Sequence, residues 1–127
     1  MGDHDSFITM KRWLENIYDG KHISDYLLSC GYNNIAIYGV GDIGKLLYRE
    51  IKGSSVKVQY FADRNAEAIR RYDGIKVILP IEISTAEDVD IIIVSVTGAY
   101  DAINKVLMEN YPQLPVVSLK DLVYEIS

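Results

Sequence analysis

The chain has 127 residues, 49% hydrophobic and 24% charged, which suits one globular domain with a sizeable core and excludes two. Its net charge is −5 and its basic residues are scattered, so it carries no footprint for nucleic acid or for an anionic membrane surface. No apolar run approaches a membrane span, no signal-peptide core opens the chain, and the lone Cys30 builds no disulfide framework. A reduced, cytoplasmic setting is the expectation.

Residues 1–5 are polar and read as a disordered leader. From Ser6 the pattern turns helical, with Met10, Trp13, Leu14, Ile17 and Tyr18 on one face, and Asp19-Gly20 stops it. A second short helix is expected from Ser24 as N-cap, through Tyr26, Leu27 and Leu28, to Gly31. Residues 6–31 thus form a helical extension ahead of the main unit at 32–127. Its apolar stripe serves either as a cover for a sheet or as a surface for self-association, giving a homodimer.

Tyr32-Asn33-Asn34 makes a turn into Ile35-Ala36-Ile37-Tyr38, a strand without polar alternation, as in a parallel sheet buried on both faces. The strand breaks at Gly39, and Ile43, Leu46, Leu47, Glu50 and Ile51 then follow helical spacing. Gly39, Gly41 and Gly44 fit G-x-G-x-x-G at this strand-to-helix turn. The first glycine allows the turn, the second a close approach of pyrophosphate, and the third close packing of helix on strand. The open N–H groups and positive dipole end of the helix would face the phosphates. Val40, Asp42 and Ile43 fill the variable positions of the turn. Asp42 would compete with a phosphate there, an effect that Lys45 can offset. The overlapping match to G-x-x-x-x-G-K fails at Leu46, where a P-loop needs Ser or Thr.

A second strand over residues 56–62 ends at Asp63, roughly 20 residues beyond the glycines, where the fingerprint places an acid for a ribose hydroxyl. Arg64 is next to it. A helix is expected over 66–71, closed by Tyr72-Asp73-Gly74, then a third strand over 75–79 ended by Pro80. Residues 85–88 read as a brief helical or turn segment, and 90–96 as the most emphatic buried strand. Thr97 is a candidate cap for a helix over 99–110 that turns Ile103, Val106 and Leu107 inward. Residues 115–118 make a fifth strand and 119–126 a closing helix. Strands alternating with helices predict one doubly wound, Rossmann-like α/β domain with a parallel sheet of about five strands.

The catalytic inventory is thin. There is no G-x-S-x-G elbow, no base partner for Cys30 and no metal-ligand spacing. His4 and His22 read as surface residues, and Asp88 and Asp90 as solvated turn residues. The carboxyl ends of the strands should gather Gly39, Val40, Gly41, Asp42, Ile43, Gly44, Asp63, Arg64, Ser95 and Thr97 as a cofactor-binding edge, with Tyr100 and Ser118 nearby. Catalytic residues stay unassigned.

The run from Tyr26-Leu27-Leu28 through Gly31-Tyr32-Asn33-Asn34 to Gly44-Lys45-Leu46-Leu47-Tyr48 resembles small Rossmann modules of bacterial surface-polysaccharide systems. So do Tyr72-Asp73-Gly74-Ile75-Lys76-Val77-Ile78, the strand at 90–96, and Pro115-Val116-Val117-Ser118-Leu119-Lys120-Asp121-Leu122. Such modules are similar to the nucleotide-binding part of nucleotide-sugar epimerases and dehydratases, and also occur attached to glycosyltransferases. The resemblance implies NAD or nucleotide-sugar binding at Gly39, Gly41, Gly44 and Asp63, in a subunit or fragment working with a glycosyltransferase or epimerase. It carries over no catalysis. Those enzymes move protons with a Tyr-x-x-x-Lys pair, and Tyr100 and Lys105 miss that spacing by one residue. The alternative is a regulatory domain that senses NAD(H) or CoA and reports to a protein partner.

Overall fold

The computed structural model describes residues 2–96 and 98–127, with side chains from Ser6 onward. Two helices lead the chain, α1 (Gly2–Tyr18) and α2 (Ile23–Ser29). Strand β1 (Asn34–Tyr38) then runs into α3 (Asp42–Ile51) and β2 (Lys57–Ala62). A four-residue helix, α4 (Ala66–Ile69), leads to β3 (Arg71–Tyr72) and β4 (Ile75–Ile78). A 3-10 turn at Pro80–Thr85 crosses to β5 (Ile91–Val94), followed by α5 (Tyr100–Asn110), β6 (Val116–Ser118) and α6 (Leu119–Ile126). The six strands form one sheet in the order β3-β4-β2-β1-β5-β6, and every pairing is parallel except β3 with β4. The chain is therefore an α/β domain on a mostly parallel sheet.

From Ile35 onward β1, and all of β5, are free of charged residues and buried because both faces of the sheet are covered there. Ile35 and Ile37 of β1, with Ile91 and Ile93 of β5, face a core shared with Trp13, Ile23, Leu27, Leu47, Ile51 and Leu119. Ala36 and Tyr38, with Ile92 and Val94, face a smaller core beneath Leu107 of α5 and Ile83 of the 3-10 turn. One bulge adjusts this parity. The β1–β2 register shifts between Ile35 and Ala36, so Val58 and Phe61 share the larger core and Tyr60 and Ala62 the smaller one. Gln59, at the shift, donates from Nε2 to Asn34 Oδ1 at 2.8 Å.

Polar contacts fix the helical extension. Glu50 of α3 accepts from Trp13 Nε1 and, at 2.6 Å, from the backbone N–H of Ile23. Buried Asn16 donates to the Val123 carbonyl at 3.0 Å, tying α1 to α6. Trp13 is buried, so the extension covers the sheet, while Leu14, Ile17 and Tyr18 of the expected stripe lie exposed.

Several boundaries move for local reasons. Helix α1 begins at Gly2, inside the segment read as a leader, and ahead of Ser6. Helix α2 starts at Ile23 with His22 at its N-cap, while Ser24 is buried in the first turn. Helix α4 stops at Ile69 because Arg70 turns to φ 63°, and Arg71–Tyr72 then pairs with β4 as a sixth strand. Pro80 opens a 3-10 turn in addition to ending a strand. In α5 only Leu107 is fully buried, and Val106 is exposed. Thr97 lies outside the described residues; the N-cap of α5 is Ala99, with no side-chain bond.

Candidate functional site

Strand β1 sits in the middle of the sheet, with β2 on one side and β5 on the other. The chain leaves β1 toward β2 and β4, then crosses back to β5, so the strand order reverses at β1. In open α/β sheets this is where a crevice opens at the carboxyl ends of the strands. The glycine turn lies here, between Tyr38 and the first residue of α3.

Each glycine shows a different constraint. Gly39 has φ +106°, and a Cβ there would lie 2.6 Å from Ser95 Oγ. At Gly44 a Cβ would lie 2.1 Å from the Gly39 carbonyl oxygen, so helix α3 rests directly on the turn. A Cβ on Gly41 would meet nothing within 4 Å. Two of the three glycines are thus required by packing, and the middle one borders open space.

Asp63 holds the turn from the loop after β2. Its Oδ2 accepts from the Val40 N–H at 2.9 Å and its Oδ1 from the Asn65 N–H at 2.8 Å. The carboxylate therefore bridges the glycine turn and the loop after β2, and each oxygen keeps lone-pair capacity for another donor. Arg64 and Asn65 continue this wall. With Tyr38, Gly39, Pro80 and Val96 they enclose a cleft of about 580 Å³, whose far side is Ala99, Ala102, Ile103, Val106 and Leu107 of the α5 segment. Burial pushes the Tyr38 phenol above its ordinary value; the Arg64 charge pulls it back in part, and Asp63 adds to the rise.

The remaining expected site residues divide. Val40 is buried in the larger core and Ile43 packs against it, so both join the turn through backbone. Asp42 is exposed in the first turn of α3. Ser95 is buried, and its hydroxyl donates to the Tyr38 carbonyl at 2.9 Å and the Gly39 carbonyl at 3.3 Å. It braces the turn from below. Ser118 accepts from the Asp121 N–H at 3.0 Å as the N-cap of α6. Tyr100 packs against the smaller core, and burial, with Asp121 and Asp101, raises its phenol. That direction is opposite to what a general base requires.

Sequence reasoning missed three polar arrangements. Asp90 is more than a turn residue, because its Oδ2 accepts from the N–H groups of Asn33 (2.8 Å) and Asn34 (3.0 Å) and anchors the start of β1. Glu50 lies on the face toward the larger core, yet it is an acceptor shared by α1 and α2. The Tyr-x-x-x-Lys spacing does occur, at Tyr48–Lys52 and again at Tyr72–Lys76. Tyr48 Oη donates to Asp73 Oδ2 at 2.5 Å, and Lys52 Nζ pairs with the same oxygen at 2.8 Å. Burial and the Asp73 bond push Tyr48 up to about 12, whereas a proton-transferring tyrosine needs its lysine to lower it. Neither residue lines the cleft. The pair closes the β3–β4 turn onto α3.

The geometry defines an α/β domain with a ligand-sized cleft at a glycine turn. The family model described as C2185-like, N-terminal, matches residues 31–113, from the end of α2 to the approach to β6. The chain belongs to that family. No curated protein and no solved structure matches it. Among the described residues no helix is long and apolar enough to cross a membrane, and no three His, Cys, Asp or Glu side chains are grouped to hold a metal ion.

Proposed function

We propose that the chain is a Rossmann-type nucleotide-binding module, with NAD as the first ligand to test and nucleotide-sugars next. Its setting would be the cytoplasm, in nucleotide-sugar or surface-polysaccharide metabolism, with a glycosyltransferase or epimerase as partner. The observation that carries the reading is Asp63, held by the Val40 N–H beside the open space at Gly41. The spare lone pairs of its carboxylate suit a ribose hydroxyl, and the open first-turn N–H groups of α3 suit a phosphate. The cleft between Arg64 and the α5 wall has room for a base. Gly39, Asp63 and Arg64 line the cleft together and Gly41 adds no side chain beside them, so the residues present fit such a ligand. NAD, when bound, would supply hydride chemistry; this chain's own groups at the cleft bind and orient.

A second reading, a sensor of NAD(H) or CoA, draws on α3. The same helix begins at the glycine turn and carries Glu50 onto Trp13 of α1 and the Ile23 N–H of α2. Titration calorimetry with NAD⁺, NADH, NADP⁺, CoA and UDP-sugars tests both. Saturable binding lost in Gly41→Val supports the site, and a ligand-dependent change in assembly favours the sensor. No heat and no thermal shift with any of them at millimolar concentration refutes it.

A further inference from the structure

The loops that enter β5 and β6 enclose, with Tyr60 of β2, a second pocket of about 430 Å³. They lie at the amino ends of parallel strands, the sheet edge opposite the glycine turn. Tyr60 is only 1% exposed, and its ring belongs to the smaller core. Its hydroxyl makes no hydrogen bond among the described residues. Thr9 Oγ1 is a side-chain oxygen sealed inside the protein without a partner, whereas the Tyr60 hydroxyl opens into the pocket. Tyr111 beside it is already satisfied, because its hydroxyl donates to the Pro80 carbonyl at 3.0 Å and pins the ring in the wall. A buried phenol left unpaired is costly, so the position calls for a group from outside.

The charge around that hydroxyl has one sign. Glu87 and Asp88 line the pocket and no cationic side chain does. Lys76 pairs with Glu87 from outside the lining, and Asp88 makes no ion pair among the described residues. Burial first, then Glu87, Tyr111 and Asp88, push the Tyr60 phenol up to about 12, which places these groups at its hydroxyl end. The field that opposes a phenolate there favours a cation. We propose that the pocket binds a small organic cation, an amine or guanidine on a short apolar stem. Its N–H groups would donate to the Tyr60 oxygen and the Asp88 carboxylate, its charge would face the Tyr111 ring, and its stem would lie along Val89 and Leu114. No three His, Cys, Asp or Glu side chains are grouped for a metal ion among the described residues, which favours an organic cation. Phosphate, the group proposed for the glycine turn, is repelled here, so the two sites are independent.

Amide NMR titration of the whole chain with phenethylamine and agmatine tests this, with phenethyl alcohol and phenylacetate as neutral and anionic controls. The expected result is saturable shifts around residues 83–89 and 111–114 with the two cations, at a Kd of roughly 1 mM, and none with the controls. Tyr60→Phe keeps the ring and removes an unpartnered hydroxyl, so it should melt no lower than the parent while binding about fivefold more weakly. Asp88→Asn, at an exposed position, should also weaken binding about fivefold and leave the fold unchanged. No saturable shift up to roughly 50 mM overturns the proposal, as does equal binding of phenethyl alcohol or unaltered affinity in both variants. Mg²⁺ or Ca²⁺ reproducing the shifts and displacing phenethylamine overturns it in favour of an inorganic cation. A Tyr60→Phe chain that melts lower overturns it too, because the hydroxyl would then serve the fold.

Discussion

Replacing Gly44 by alanine places a methyl group 2.1 Å from the Gly39 carbonyl oxygen and 3.0 Å from Ser95 Oγ. The oxygen is backbone, held in a turn with φ +106° at Gly39, and it cannot rotate away. Helix α3 must therefore recede by about 1 Å, which loosens Leu47, Tyr48 and Ile51 in the larger core. Overpacking of this kind costs about 1–3 kcal/mol, and a rigid backbone neighbour puts Gly44 at the upper end. Alanine returns about 1 kcal/mol of helix propensity, leaving a net loss of about 2 kcal/mol. For a domain of this size that lowers the melting temperature by roughly 6–10 °C. Gly41→Ala is the control, because its Cβ meets nothing within 4 Å and its φ is −87°. It should stay within about 0.5 kcal/mol of the parent. Urea denaturation of the three proteins measures both values. A Gly44→Ala protein as stable as the parent would refute the claim that α3 rests on the turn.

Further outcomes follow from the same geometry. Asp63→Asn should narrow any preference for NAD over NADP, since the carboxylate accepts from a free 2′-hydroxyl and repels a 2′-phosphate; equal binding of both by the unaltered chain argues against that role. Asp42→Asn should tighten a pyrophosphate ligand severalfold by removing a like charge from the start of α3, and calorimetry reads the change. Glu50→Ala strands the Trp13 and Ile23 donors and should cost about 1–3 kcal/mol in denaturant unfolding, with loosened α1 amides in hydrogen exchange. Tyr48 and Tyr60 are each pushed up to about 12, chiefly by burial. Because both folded values lie above the ordinary 10.0, their contribution to stability is complete below pH 10 and is lost as pH rises toward 12. Phenolate absorbance should show a late-ionising fraction, and Tyr48→Phe should reduce it.

What the residues determine by themselves is the local chemistry. Unbroken apolar runs at β1 and β5 mark strands covered on both sides. The strand–glycine–helix order marks the turn, and Asp63 at the end of β2 falls where the fingerprint places an acid. These signals act over short spans, so the alternating α/β order is readable without coordinates. Only the tertiary structure decides which side chains are already engaged. Ser95 reads as a ligand hydroxyl in sequence and Ser118 as a neighbour of the same edge, but both brace backbone, because a buried hydroxyl takes the nearest carbonyl or N–H. Tyr48 and Lys52 carry a catalytic spacing, yet Asp73 arrives from another element and holds both. The stripe of α1 splits the same way, with Trp13 drawn to Glu50 while Leu14 and Ile17 face outward. Helical periodicity defines a stripe but not its partner. A stripe wider than one contact can bury only the part that α3 and α6 reach, and those helices are set against α1 by residues far along the chain.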